Sequence, residues 1–325
     1  MIEAKAIVFT GIAQCELQQV QIPEPGPGQV LLETKVTAAS VGTEMRVFGG
    51  VQEPNQQFPV VPGYAQAGVV IRAGEGAESW LGKRVLGDHQ QTSIRPMWGA
   101  HCSMVTLSAG LLVEMPDSVP FEQGVLSRLA AIAWRGVDLS AAQPEESVMV
   151  VGLGVIGHMA ARLYASIGCR VVGVDLAEPR TAALERAGIK AVCVPTLADA
   201  TGLFDDGPDV LVDATGNAPV LEQTIKLAKD LAWNDLPKKP TRLIVQGSYP
   251  DKFTGLYDDA FRKQLIMMFP RDCTLVDKQK VMSLIGSGAL DLAGLASVFP
   301  VDEAPAVYAR LWARDSSLMA PVFEW

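Results

Sequence analysis

ESVMVVGLGVIGHMAARLYASIGCRVVGVD, residues 146–175, decides how the middle of this chain folds. SVMVV is a short continuous apolar run of the buried-strand kind. Gly152, Gly154 and Gly157 follow in G-x-G-x-x-G spacing, and HMAARLYASIG continues with apolar residues at helical intervals. RVVGVD then returns to strand. Each glycine has its own reason. Gly152 permits the tight turn, Gly154 lets the backbone approach a pyrophosphate, and Gly157 lets helix pack on strand. The helix start at Val155 and Ile156 supplies the positive end of the helix dipole to the phosphates.

Asp175 closes the second strand eighteen positions after Gly157. A carboxylate there accepts hydrogen bonds from the adenosine ribose hydroxyls of a dinucleotide. It also repels a 2′-phosphate, and the next residue is Leu176 rather than arginine, so NAD is expected over NADP. Arg180 either stacks near the adenine or pairs with Glu178. The competing reading is a structural strand–helix–strand turn that binds nothing, and the strand, glycines, helix, strand and acid in sequence count against it.

Downstream of this stretch the alternation continues. KAVCVP (190–195), PDVLVDATG (208–216) and RLIVQGSY (242–249) read as buried strands, with APVLEQTIKLAKDLAW (218–233) as a helix between two of them. WNDLPKKPT (233–241) is a polar surface loop. Alternating strand and helix implies a parallel sheet covered on both faces. Upstream the pattern differs. KAIVF (5–9), VLLETKVTAAS (30–40), GVVIRAG (68–74), RVLGD (84–88) and SMVTL (103–107) are short runs separated by Gly and Pro, as in PEPGPG (23–28). That is the texture of antiparallel β-structure. FEQGVLSRLAAIAWRGVDL (121–139) reads as a helix, as does DKQKVMSLIGSGALDL (277–292), and MAPVFEW (319–325) as a final strand. The expected class is α/β. A β-rich catalytic domain spans 1–120, a doubly wound parallel-sheet domain 121–270, and a segment returning to the first domain 271–325.

Composition narrows the function classes. Of 325 residues, 49% are hydrophobic and 19% charged, and the net charge is −9. An acidic surface suits neither nucleic acid nor anionic lipid. The start MIEAKAIVF lacks the features of a signal peptide, and no apolar run approaches the roughly 18 residues needed to span a bilayer. A soluble, cytoplasmic protein is expected. Cys15, Cys102, Cys169, Cys193 and Cys273 stand far apart without a C-x-x-C pair, so neither a disulfide framework nor a four-cysteine zinc site is expected.

These features together resemble the medium-chain dehydrogenase/reductase superfamily of alcohol and polyol dehydrogenases. The resemblance covers almost the whole chain: PEPGPGQVLLETKVTAAS, VPGYAQAGVVIRAG, GKRVLGD, WGAHCSMV, the glycine fingerprint, VDATG and QGSY. It implies a GroES-like catalytic domain around a Rossmann domain, and homodimers or homotetramers built by edge-to-edge pairing of Rossmann sheets. The zinc chemistry of the superfamily does not carry over. Zinc members have G-x-C-x-[ST]-D, where this chain has Ala39-Ser40-Val41-Gly42-Thr43-Glu44. Their G-H-E is Gly63-Tyr64-Ala65 here, and in the third ligand region, LSRLAAIAWRG (126–136), the counterpart is Ala131. Valine, tyrosine and alanine do not make a zinc site, so no metal is expected. HQQTSIRPM (89–97) is too short for the structural zinc lobe and holds no cysteine. Within the superfamily, Gly42-Thr43-Glu44, Val61-Pro62-Gly63-Tyr64, Leu129-Ala130-Ala131 and the segment 291–325 are most similar to the group acting on the 3-hydroxyethyl substituent of a bacteriochlorophyllide.

Without zinc, side chains must handle the hydroxyl proton. Thr43 stands where zinc members place a proton-relaying hydroxyl. Tyr64 occupies a lost ligand position, either as a phenolic donor or as a filler of the vacated space. Glu44 either orients Thr43, receives its proton through water, or forms a supporting ion pair. His89 is a candidate for exchanging protons with solvent, and His101 a weaker one. His158 is expected to face phosphate or solvent. Thr215 and Gly216, with Gly247 and Ser248, are expected to line the cofactor crevice at strand carboxyl ends. Phe261, Met267, Met268 and Phe269 read as core, and Phe48, Trp98 and Trp134 as candidates to line an apolar pocket. The leading expectation is a zinc-independent, NAD-dependent dehydrogenase of a secondary alcohol. The alternatives are a sugar, cyclitol or other small-alcohol dehydrogenase, an enone or quinone reductase, and an NAD-binding sensor without catalysis.

Overall fold

A computed structural model describes residues 1–87, 92–231, 238–249 and 257–325. The chain forms two compact units, Met1–Leu129 with Lys278–Trp325, and Ala130–Asp277. Both boundaries fall later than the sequence pattern suggests. The first lies inside one uninterrupted helix, so the change from β-texture to helical spacing at residue 121 precedes the division between units.

The first unit opens with a hairpin, β1 (Ile2–Gly11) and β2 (Gln14–Ile22), whose register runs from Ile2 opposite Ile22 to Phe9 opposite Cys15. There follow β3 (Gln29–Ala38), α1 (Val41–Phe48), β4 (Gln66–Ala73), β5 (Arg84–Gly87), β6 (Met104–Ser108), β7 (Val113–Glu114) and α2 (Phe121–Ser140). Gly68 and Gly74 show why glycine interrupts these strands. A Cβ at Gly68 would stand 2.0 Å from the Glu33 carbonyl oxygen, and one at Gly74 1.9 Å from that of Gly26.

The second unit contains β8 (Ser147–Val151), α3 (Val155–Ser166), β9 (Arg170–Asp175), α4 (Glu178–Arg186), β10 (Lys190–Cys193), β11 (Val210–Asp213), α5 (Ala218–Thr224), β12 (Arg242–Val245), α6 (Tyr257–Arg262) and β13 (Ile266–Met268). Its six strands are parallel in the order β10-β9-β8-β11-β12-β13. Every residue of β8 and β11 is buried, as continuous apolar strands in a two-sided sheet must be. The order reverses between β8 and β11, which makes their carboxyl ends the switch point where α/β sheets bind ligands. The helix expected over 218–233 ends at Thr224. There the threonine hydroxyl lies 2.9 Å from both the Val220 carbonyl and Asp213 Oδ2.

The chain then returns to the first unit through α7 (Leu275–Gly286), β14 (Ala296–Pro300), α8 (Ala304–Trp312) and β15 (Ala320–Glu324). β15 pairs antiparallel with β3, and the sheet runs β14-β15-β3-β4-β5-β7, with β6 also on β3. One core of this unit combines residues from both ends of the chain: Ile7, Phe9, Phe48, Val60, Tyr308, Leu311 and Phe323. Phe48 therefore does not line a pocket. It packs 4.8 Å from Phe9 and 5.9 Å from Tyr308, ring centre to ring centre. Phe261 and Phe269, expected in the core, are exposed, and Phe261 stacks on exposed Tyr257. Among the described residues no helix is long and apolar enough to cross a membrane.

Candidate active site

In the second unit, the loop after β8 has the geometry that its glycines suggested. Gly152 has φ +88°, and a Cβ there would meet Thr215 Cγ2 at 2.8 Å. A Cβ at Gly157 would lie 1.8 Å from the Gly152 carbonyl oxygen, so only glycine lets α3 sit this close to its strand. At Gly154 nothing lies within 4 Å of a Cβ position. Gly154 is also the N-cap of α3 and carries no capping side chain. The first N–H groups of the helix at Val155 and Ile156 are thus presented beside a backbone without bulk, and these groups fit the pyrophosphate of a dinucleotide.

Asp175 is buried at the end of β9. Its Oδ2 accepts from the Leu153 N–H at 2.7 Å and its Oδ1 from the Ala177 N–H at 2.8 Å. Oδ1 keeps a further lone pair, which fits a ribose hydroxyl. Of the two possibilities for Arg180, pairing with Glu178 is replaced by an ion pair with Asp175, Nη1 to Oδ2 at 3.5 Å. The reason is local. Residue 180 sits in the first turn of α4, directly after the loop that Asp175 caps, and the buried carboxylate is a nearer anion than Glu178. His158 likewise departs from expectation. Instead of facing phosphate or solvent it is fully buried on α3, with Nε2 3.0 Å from the Arg180 carbonyl oxygen. Burial lowers its pKa to about 4, so the ring is neutral and joins α3 to α4.

The loops after β11 and β12 are tied together by buried Asp213. Its Oδ1 accepts from the Thr215 N–H at 2.9 Å, from the Thr215 hydroxyl at 2.7 Å and from the Tyr249 phenol. The Gly247 N–H donates to the Asp213 carbonyl at 2.9 Å, and a Cβ on Gly247 would stand 2.5 Å from the Gly216 nitrogen. Thr215, Gly216, Gly247 and Ser248 are therefore adjacent, with Thr215 against Gly152. Tyr249, which the sequence reading did not single out, completes this cluster.

The remaining candidates lie in the first unit. Glu44, on α1, is fully buried. Its Oε1 accepts the Ser40 backbone N–H at 2.7 Å, and its Oε2 lies 2.5 Å from the Tyr308 hydroxyl and 3.1 Å from His101 Nε2. His101 Nδ1 is 2.8 Å from the Thr37 hydroxyl, which in turn accepts the Trp325 indole N–H at 3.1 Å. One set of proton positions satisfies every member. Trp325 donates to Thr37, Thr37 to Nδ1 of His101, and Nε2–H to Glu44, while Tyr308 and Ser40 donate to the same carboxylate. This gives Glu44 a supporting role as in the third possibility considered for it, but through hydrogen bonds from a neutral imidazole, a phenol and a backbone N–H rather than through an ion pair. His101 is a buried strut rather than a solvent-facing base, and a Cβ at Gly63 (φ +88°) would collide with its ring at 2.4 Å. His89, with Asp88, Gln90 and Gln91, lies outside the described residues.

The Glu44 bond to Ser40 N–H fixes the loop that carries the next group. The Tyr64 phenol is buried and donates to the Ser40 hydroxyl, and it also hydrogen-bonds the half-buried Thr43 side chain. The Trp98 ring meets the Tyr64 ring edge-on at 5.4 Å. On the ring face lies the guanidinium of Arg128, 4.8 Å from the centroid. Burial pushes the Tyr64 phenol up from its ordinary value. The bonds from Ser40 and Thr43 and the Arg128 charge act in the opposite direction. Arg128 was not anticipated. Its signal was a charge near the start of the apolar helical run LSRLAAIAWRG, and the structure buries it to 3% exposure.

Zinc does not fit the corresponding positions. Val41 packs against the apolar core, Ala65 is fully buried, and Ala131 offers no donor, which leaves only a phenol engaged in hydrogen bonds. Among the described residues no three His, Cys, Asp or Glu side chains are grouped to hold a metal ion.

Two family models match the chain: alcohol dehydrogenase GroES-like domain over residues 26–117, and zinc-binding dehydrogenase over residues 155–231. The second covers α3 to α5 with β9, β10 and β11 of the parallel sheet, and none of the positions where zinc members place catalytic ligands. Over 336 residues the chain is 26% identical to 2-desacetyl-2-hydroxyethyl bacteriochlorophyllide A dehydrogenase of Cereibacter sphaeroides, covering 98% of each chain. It is 23% identical to 2-dehydro-3-deoxy-L-galactonate 5-dehydrogenase of Pseudoalteromonas atlantica, over 92% of each. Among solved structures, acetophenone reductase from Geotrichum candidum in complex with NAD superposes with a TM-score of 0.84 at 17% identity, over 99% of this chain and 97% of that one.

Proposed function

We infer that the chain belongs to the medium-chain dehydrogenase/reductase superfamily, as an oxidoreductase of the alcohol dehydrogenase type. From that premise we propose that it is a zinc-independent, NAD-dependent dehydrogenase that oxidises a secondary alcohol to a ketone, with the hydroxyethyl group of a bacteriochlorophyllide as substrate. The observation that carries the reading is Tyr64. At a position where zinc members place a ligand, this chain holds a buried phenol bonded to two hydroxyls and faced by a guanidinium.

NAD, held by the Gly152–Gly157 loop, Asp175 and the Thr215–Gly216 and Gly247–Ser248 turns, supplies the acceptor for the hydride leaving the alcohol carbon. The protein's own residues handle the proton. Tyr64 and Thr43 hold the substrate oxygen, and as the carbonyl forms, the hydroxyl proton passes to the oxygen of Tyr64 in its deprotonated, phenolate form. In the reverse direction the same phenol donates to the developing alkoxide. Glu44 stays committed to Ser40, His101 and Tyr308, so it positions the loop rather than receiving the proton. NAD over NADP is supported by the buried Asp175 carboxylate, whose charge disfavours a 2′-phosphate.

The hydroxyethyl substrate is supported by the relative from Cereibacter sphaeroides, which matches end to end. A sugar-derived alcohol is the second reading, supported by the Pseudoalteromonas relative. We also assign a cytoplasmic homo-oligomer. Support for the oligomer is β13, an edge of the parallel sheet among the described residues, beside which Ile266 and Phe269 are exposed. The test is NAD reduction at 340 nm with 3-(1-hydroxyethyl)bacteriochlorophyllide a, compared with xylitol and butane-2,3-diol. Turnover on the tetrapyrrole alone is expected. Turnover on the polyols alone selects the second reading, and none on any of them, with NAD bound, overturns the enzymatic one.

A further inference from the structure

A site that takes a proton onto a phenol in a buried setting must provide for the charge of the tyrosinate. Zinc members have a dication nearby, whereas here the residues around Tyr64 are organic. On α1, Thr43 is bonded to the phenol, Glu44 adds a negative field, and the charge of Arg46 is coupled to Tyr64. Ser40 accepts from the phenol, and Trp98 presents its ring edge-on. On α2, Arg128 lies over the ring face, 4.8 Å from its centroid. Arg128 is almost wholly buried, in a helix whose neighbouring residues Val125, Leu126, Leu129 and Ala130 are all at 0% exposure. A charge held this far from water acts on the ring beneath it with little screening.

We infer that Arg128 is the cation that stabilises the Tyr64 phenolate during turnover, an organic charge standing where the superfamily otherwise uses a metal. This rests on Tyr64 as the proton acceptor of the proposed reaction. In the oxidation direction the C–H bond breaks with its electron pair going to the nicotinamide, the O–H bond breaks, and its proton goes to the Tyr64 oxygen. Oxidation therefore runs through the phenolate of Tyr64, the form that burial disfavours and that needs a stabilising charge. The ring-face cation favours that anion, and it favours the neutral ring less strongly. The two hydroxyls donate to the phenolate oxygen once it has lost its proton. Arg128 acts through Tyr64 and is a positioning residue. Its planar, delocalised charge lies flat on an aromatic face in a way that a lysine ammonium does not reproduce.

The test uses full-length protein labelled with 3-fluorotyrosine, which titrates at lower pH than tyrosine, with Tyr64→Phe identifying the Tyr64 fluorine resonance. Arg128→Met is expected to move that titration upward by a pH unit or more and to lower kcat at least ten-fold with KM little changed. Arg128→Lys is expected to fall between, and it serves as the readout should Arg128→Met not fold. Coincident Tyr64 titrations in the wild type and the Arg128 variants overturn the inference, whatever happens to turnover. Undiminished turnover in Tyr64→Phe instead removes the phenol from the reaction. That outcome sinks the parent reading while the titration still reports whether the two residues are coupled.

Discussion

The two candidate sites are built on opposite plans. In the second unit the dinucleotide-type loop is assembled from neighbours in sequence. Gly152, Gly154, Gly157 and Asp175 lie within one strand–helix–strand unit, and Asp175 reaches back only 22 positions to the Leu153 N–H. In the first unit the Tyr64 cluster is assembled from the whole chain. Glu44 meets Tyr308 across 264 positions and His101 across 57, and Thr37 meets Trp325 across 288. A loop made locally can be tuned residue by residue. A loop held by a buried carboxylate with three donors depends on every segment arriving.

The sharpest way to break that comparison is Glu44→Ala. It leaves the Ser40 N–H, the Tyr308 hydroxyl and the His101 ring without their shared acceptor in a fully buried position. Destabilisation of about 3–5 kcal/mol is expected from stranding such groups. Urea unfolding followed by tryptophan fluorescence measures it. A loss below about 1 kcal/mol, the size of an ordinary surface change, would show that the non-local network is dispensable.

His158 makes the corresponding test in the local region. Its pKa is lowered to about 4 chiefly by burial, while an unfolded histidine titrates near 6.5. Between those values the unfolded chain binds the proton that the folded one refuses. Stability is therefore full above pH about 6.5 and falls as pH drops toward 4, by up to about 3 kcal/mol. Comparing urea midpoints at pH 7 and pH 4.5 for the wild type and His158→Gln isolates this contribution. Equal pH sensitivity in the two proteins would mean that His158 is not the group responsible.

Asp175 gives the smallest effect. Asp175→Ser is expected to weaken NAD binding about ten-fold, the size of one charge-assisted hydrogen bond lost (about 1.4 kcal/mol), and to narrow the preference over NADP. Isothermal titration with both dinucleotides reads this out. An unchanged NAD affinity would show that the carboxylate serves only Leu153, Ala177 and Arg180.

The same contrast explains what the sequence made legible. The parallel sheet, the glycine geometry and the adjacency of the β11 and β12 turns were readable because strand and helix periodicity and glycine spacing are local signals. The absence of ligating atoms at Val41, Ala65 and Ala131 was readable too, since it depends on residue identity alone. The partners of Glu44 were not, because no periodicity links positions 44, 101 and 308. His158 misled because a polar residue after a glycine loop resembles a phosphate contact until α4 covers it. Arg128 was not legible because LSRLAAIAWRG holds two arginines, and nothing local in the sequence separates buried Arg128 from half-buried Arg135.

The central claim is that a phenol, not a metal, handles the substrate proton. Protein dialysed against a strong chelator, with residual zinc quantified by elemental analysis, should be assayed for NAD-dependent oxidation of the hydroxyethyl substrate beside Tyr64→Phe treated identically. Full activity in the stripped wild type, with zinc far below one per chain and at least a hundred-fold loss in kcat for Tyr64→Phe, of the order seen when a transition-state hydrogen-bond donor is removed, is the predicted result. Activity that disappears on stripping and returns with added zinc would contradict it.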